Sequence, residues 1–183
     1  VGFNGFELGA EGPLGHNKRT SYLINYRYST LGVFQKMGIS FGTGAAVPYY
    51  QDLNFKVTSN ISKHGKLSLW GISGKSNIEF LGKDVDTTTT ELYGGDPFAN
   101  EYAWYGTSVT GVTYEQQLSE KTSTKFTAAY GGSFQKYQED SLSRTTYQPI
   151  PESRGRLASD KVSGVWSLTH KMNARNNMQA GIT

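Results

Sequence analysis

TKFTAAYGGSFQKY, residues 124–137, sets Phe126, Tyr130 and Phe134 on one parity and Lys125, Thr127, Ser133 and Gln135 on the other. Successive side chains of a strand point to opposite sides of a sheet, so this is the pattern of a strand with one apolar and one polar face. The aromatic rings suit such a half-buried pleated surface. The stretch is also long, well beyond the five or six residues or so that are usual for strands in soluble domains.

The same alternation extends in both directions. Strand-like segments are expected near 2–12, 20–28, 51–60, 67–77, 103–117, 124–137, 158–170 and 177–183. Segment 20–28 opposes Tyr22, Ile24, Tyr26 and Tyr28 to Ser21, Asn25 and Arg27. Segment 51–60 opposes Leu53, Phe55 and Val57 to Asp52, Asn54, Lys56 and Thr58. Segment 158–170 opposes Val162, Trp166 and Leu168 to Lys161, Ser163, Ser167 and Thr169. Segment 67–77 is ambiguous, because Leu67 and Leu69 disagree in parity with Trp70 and Ile72.

Between the segments, short and long connections take turns. The short ones are PLGHNKR (13–19), ISKHGK (61–66), LSEKTS (118–123) and KMNARN (171–176); the long ones fall at about 29–50, 78–102 and 138–157. Gly, Pro, Thr and Asp crowd the long stretches, as loops require.

Composition sets the outer bounds. The 183 residues include 22 Gly and 12 Tyr, with 13% aromatic and only 36% apolar residues and no cysteine. Without cysteine, disulfides, thiol catalysis and Cys-rich zinc sites are excluded. No apolar run reaches the roughly 18 residues of a transmembrane helix. Membrane β-barrels escape that test, because their strands are apolar on the lipid side alone. A net charge of +3, from 18 basic residues scattered among 15 acidic ones, forms no nucleic-acid footprint.

Alternation and composition also fit a soluble β-sandwich. Three features favour the barrel. Apolar parities carry aromatics near their ends, as lipid-interface girdles do. Trp104 and Tyr114 share a parity ten residues apart, which projects to about 25 Å at the usual rise and tilt, the height of a barrel's lipid band. Short turns at one rim and long loops at the other complete the pattern. The fold expected is thus all-β, an antiparallel transmembrane β-barrel segment of about eight strands.

FELGAEGPLG (6–15), SYLINYRYSTL (21–31) and FGTGAAVPYYQDLNFKV (41–57) resemble the early barrel of Bacteroidetes-type TonB-dependent outer-membrane receptors, and LSLWGISGKSNIEF (67–80) continues the likeness. The resemblance covers about the first 135 residues. It implies a section of a larger barrel of about 22 strands, with 1–183 belonging to a single barrel domain. It further implies an N-terminal plug that this chain does not carry, and energy delivered by a TonB complex acting on that plug. The expected localisation is the bacterial outer membrane, and the expected role is import of a scarce or bulky nutrient such as a siderophore, oligosaccharide or peptide. Outer-membrane lipid, the plug, the remaining strands and a surface lipoprotein would be the partners; no cofactor, catalytic activity or nucleic acid is expected.

Candidate residues follow from parity and position. Arg27, Lys56, Lys125 and Lys161 lie on the polar parity and are candidates for the lumen. Rings cluster in the longer stretches at Phe34, Phe41, Tyr49, Tyr50, Tyr93, Phe98, Tyr102 and Tyr147. Of these Tyr49, Tyr50, Tyr93, Phe98, Tyr102 and Tyr147 are candidates for ligand contact, by stacking on sugars or touching peptides. The plainer reading is that they pack the loops and form the outer girdle. His16 and His64 fall in short turns and His170 beside one, away from any nucleophile. Asp84, Asp86, Glu91, Asp96 and Glu101 gather without EF-hand spacing, so a solvated loop is expected rather than a metal site. GTGAA (42–46) lacks the GK[ST] of a phosphate-binding loop. Two alternatives stay open: a small barrel closed by these eight strands alone, structural or adhesive, and a soluble β-sandwich binding module.

Overall fold

The computed structural model describes residues 5–16, 18–31, 37, 48–85 and 96–183. Eight strands follow one another in the chain: β1 (Phe6–Leu14), β2 (Thr20–Tyr28), β3 (Tyr49–Asn60), β4 (Gly65–Leu81), β5 (Ala99–Ser119), β6 (Thr122–Leu142), β7 (Pro149–Lys171) and β8 (Asn177–Ile182). They form a single sheet in the order β1-β2-β3-β4-β5-β6-β7-β8, every pair antiparallel. The sheet is open. β1 and β8 are its two edges and do not pair with each other, so the eight strands do not form the small closed barrel. Among the described residues no second sheet packs on this one, so they do not form a sandwich.

All eight expected strands are present, and the expected short and long connections fall at opposite ends of the sheet. Two of the expected long loops are corrected. β4 runs on to Leu81 and β5 begins at Ala99, so strand occupies both ends of 78–102; a 3-10 turn, Gly82–Asp84, follows β4. Strand likewise fills most of 138–157, leaving only residues 143–148 as a loop. There Ser143 N–H donates to Gln148 O at 3.0 Å and Tyr147 N–H to Ser143 O at 2.7 Å. The first turn also starts later than expected, since β1 keeps Pro13 and Leu14.

Among the described residues Leu142 is the sole buried large apolar side chain. A single-layered sheet has no core between layers. What holds it together is its ladder of backbone hydrogen bonds and the side-chain pairs across neighbouring strands. β-Bulges interrupt the ladder at Gln117/Ser119 and at Glu139/Asp140. Each lies beside a connection, where an extra residue bends a strand and sharpens its twist. No helix among the described residues is long and apolar enough to cross a membrane.

Candidate functional site

Directly opposed residues share a face, so the ladder registers assign every strand residue to one of two surfaces. One row runs Leu14, Thr20, Ser59, Leu67, Tyr114, Phe126, Trp166, Ile182; the next runs Gly12, Tyr22, Val57, Leu69, Val112, Ala128, Gly164. Tyr22, Ile24, Tyr26, Leu53, Phe55, Val57, Phe126, Tyr130 and Trp166, drawn from four different strands, all fall on this aromatic face. None of the described residues covers it: Val162 is 80% exposed, Ile182 71% and Leu8 59%.

The apolar band on this face runs obliquely to the ladder. Towards the short turns its unbroken part ends at Tyr22, Val57, Leu67, Tyr114, Phe126, Leu168 and Met178 on β2 to β8. Following the register from Tyr22 through Val57, Leu69, Val112 and Ala128 arrives at Gly164, yet on β7 the band continues to Leu168, four residues further. Four residues of about 3.3 Å across five strand spacings of about 4.8 Å make an angle of roughly 30°. A belt level with a bilayer crosses tilted strands in this way, and barrel strands tilt by about 35–45°.

The opposite face mixes charges and hydroxyls with isolated apolar side chains. Ser21, Thr58, Ser68, Thr113 and Thr127 form a hydroxyl row across five strands. Within it Thr58 and Ser68 are hydrogen-bonded at 3.0 Å, and Thr113 and Thr127 at 3.1 Å. Trp70 Nε1–H donates to Thr113 Oγ1 at 3.0 Å. This resolves the ambiguous segment: Leu67 and Leu69 join the aromatic face, and Trp70 and Ile72 the opposite one.

Arg27, Lys56, Lys125 and Lys161 all lie on this opposite face, in different environments. Arg27 donates to Asp52 Oδ2 from Nε at 2.9 Å and stands 5.0 Å over the Tyr50 ring. Lys125 is 3.3 Å from Glu115. A shallow depression of about 690 Å³ surrounds the first pair, lined by Arg27, Tyr50, Asp52, Tyr105, Gln135 and Leu157 among others.

The described aromatic candidates do not converge on one site. Tyr50 lines the depression just described. Its chain neighbour Tyr49 belongs to the aromatic face, as does Tyr102, which stacks on Trp104 at 5.9 Å. Phe98 and Tyr147 meet at the long-connection end with ring centroids 6.2 Å apart, and the Arg144 guanidinium lies 5.2 Å over Phe98. Tyr93 lies outside the described residues, as do Phe34, Phe41, Asp86 and Glu91. Among the described residues no three His, Asp or Glu side chains converge as a metal site.

Sequence reading passed over one cluster. Lys75, Lys136 and Arg156 come from three different strands but share the aromatic face, just past its apolar part towards the long connections. Parity within each strand places each of them on the apolar side; only the register shows that they are neighbours.

No family model matches the chain, and no curated protein does. Among solved structures it is similar to the ferric yersiniabactin uptake receptor FyuA of Yersinia pestis, at 8% sequence identity and a TM-score of 0.43. The match covers 85% of this chain, which spans 23% of that receptor's chain. A likeness at that level assigns neither family nor activity.

Proposed function

We propose that this chain is a section of an outer-membrane β-barrel whose aromatic face meets lipid and whose opposite face lines the lumen. The observation that carries the reading is the oblique apolar belt on one uncovered face of a single-layered sheet. In water that face would be an aggregation surface; in a bilayer it is the required one. Lipid also demands that every backbone polar group be paired, because each unpaired group costs several kcal/mol there. The free edges of β1 and β8 are therefore assigned to further strands of the same barrel. The polar, shallowly indented opposite face suits a watery interior.

Within this reading the barrel serves uptake, as a TonB-dependent receptor of the Bacteroidetes type, with a plug in the lumen and the long connections on the cell surface. Its cargo is a scarce or bulky nutrient, the depression around Arg27, Tyr50 and Asp52 being part of the wall it passes. The sequence resemblance in residues 6–80 supports this finer assignment.

Residues 1–183 contain no cysteine, so single cysteines placed here can be spin-labelled in the full-length protein in its membrane, any cysteine elsewhere in it being replaced by serine. Labels at Phe55→Cys and Leu69→Cys should be relaxed by oxygen, which concentrates in lipid. Those at Asn54→Cys and Ser163→Cys should be relaxed by a water-soluble nickel chelate. Equal chelate access at all four positions would overturn the proposal.

A further inference from the structure

We infer that Lys75, Lys136 and Arg156 form a binding site for the phosphate of an anionic lipid in the leaflet that meets the long-connection end. The inference rests on the membrane reading above and goes beyond it, by assigning a ligand chemistry to three residues.

The starting observation is an electrostatic conflict. Lys136 and Arg156 are direct partners in the β6–β7 ladder. Like charges placed directly opposite each other on one face destabilise a sheet. Among the described residues no acid forms an ion pair with either Lys136 or Arg156, although Asp160 lines a depression together with Arg156, and Glu79 shares the face one row further out. Asp160 accepts a hydrogen bond from the Tyr130 hydroxyl at 2.9 Å, and Asp140 is engaged by Arg154 and Gln138. Among the described residues, neither Lys136, Arg156 nor Lys75 has an ion pair. Lys75 is one row nearer the apolar belt, beside a depression of about 290 Å³ that Arg156 and Phe134 also line.

Position identifies the missing anion. The row of Lys136 and Arg156 also holds Trp104, with Lys136 Nζ 4.5 Å from the centroid of its ring. Tryptophan at the end of an apolar belt marks headgroup level. A lipid there brings its acyl chains against Phe134 and the belt, and its phosphate against the three cations. Arginine engages phosphate oxygens through two N–H groups at once, while lysine contributes a point charge. A soluble anion would not use the apolar floor beneath the cluster.

The test uses the purified full-length receptor in non-ionic detergent, with native mass spectrometry reporting retention of lipid A or of its dephosphorylated form. Wild type should retain the phosphorylated lipid preferentially. Lys136→Gln/Arg156→Gln should weaken retention roughly 30-fold, as expected for two basic side chains near an anionic surface. Lys125→Gln/Lys161→Gln, on the opposite face, should leave it unchanged. The charge-conserving pair Lys136→Arg/Arg156→Lys should restore binding, which separates loss of the site from misfolding. Equal retention of the two lipids, or an unaffected Lys136→Gln/Arg156→Gln protein, would overturn the inference. So would displacement by inorganic phosphate at the lipid's own concentration, which would identify a site for free phosphate. The spin-label pattern reads the membrane assignment separately, so this site can fail while that assignment stands.

Discussion

The Trp70 ring lies flat across Gly111, its directly opposed partner on β5, so closely that a Cβ at position 111 would fall 2.5 Å from Cζ2. Phe55 over Gly71, Phe134 over Gly106 and Tyr137 over Gly155 repeat the arrangement, each across a direct ladder pair. A ring that covers an opposed glycine shields exposed backbone and fixes register, the device known as aromatic rescue. The Trp70 case is the most constrained, because its indole N–H is held by Thr113 and a Cβ at 111 would also stand 3.0 Å from Ala128 O.

Gly111→Ala should therefore destabilise the protein. Replacing glycine in a strand ordinarily gains about 0.5–1 kcal/mol, whereas overpacking costs about 1–3 kcal/mol; the pinned ring makes the second effect win. Thr113→Val releases the ring, so the double variant should lose less than the sum of the single changes. Urea unfolding of the three variants in detergent measures this. A stabilised Gly111→Ala protein would contradict the account.

Val112 and Val109 offer a paired test of the two faces. They lie three residues apart on β5, on opposite surfaces, and are 42% and 36% exposed. In water, arginine at either position would be nearly neutral. With Val112 in lipid, between interface and midplane, Val112→Arg should cost about 2 kcal/mol, while Val109→Arg stays within about 0.5 kcal/mol of wild type. Folding into vesicles, followed by denaturant titration, reads the difference. Equal effects would place both faces in the same medium.

The Arg27–Asp52 pair should contribute little to stability despite its close geometry. Its side chains are 51% and 31% exposed, and solvated pairs of this kind are worth about 0–1 kcal/mol. Asp52→Asn should change unfolding by less than that, and added salt should shrink the difference further. A loss of several kcal/mol would mean that the pair is far drier in the assembled barrel than this exposure implies.

Arg144 sits in the connection 143–148, and Lys63 and Lys121 in the short turns at the other end of the sheet. Trypsin added to intact cells should cut after Arg144 and spare Lys63 and Lys121. Cleavage at the two lysines alone would reverse the orientation assigned to the long connections.

How much of this was legible in the sequence depends on where the two-residue alternation is strong. Residues 20–28 coincide with β2, since Tyr22, Ile24, Tyr26 and Tyr28 contrast with polar neighbours throughout. The ends of β4 to β7 at the long connections, residues 78–81, 99–102, 138–142 and 149–157, read as loop because the alternation fails there: in β6 Gln138 and Asp140 stand against Glu139 and Ser141, and in β4 Ile78 and Phe80 stand against Leu81. Under the proposed membrane reading these ends extend beyond lipid, where no apolar face is needed, so periodicity vanishes while the ladder continues. Pro149 and Pro151 reinforced the misreading, yet both lie at the beginning of β7, beyond the Glu139/Asp140 bulge. Tyr49 and Tyr50 were grouped as loop rings, although adjacent residues in a strand must part to opposite faces. The basic cluster was invisible for a different reason. Neighbours across strands depend on register, and register is set by pairing rather than by any one strand's pattern.

Because each strand pairs only with its neighbours in the chain, the sheet is a string of hairpins with no crossing connection. A gene duplication or deletion covering two successive strands, such as β5 and β6 with their two-residue turn, would alter the circumference by about 10 Å. The inward and outward sense of every remaining residue would be preserved. In a barrel closed as proposed, calibre can thus drift through evolution in hairpin steps, while the chemistry of each face is inherited intact.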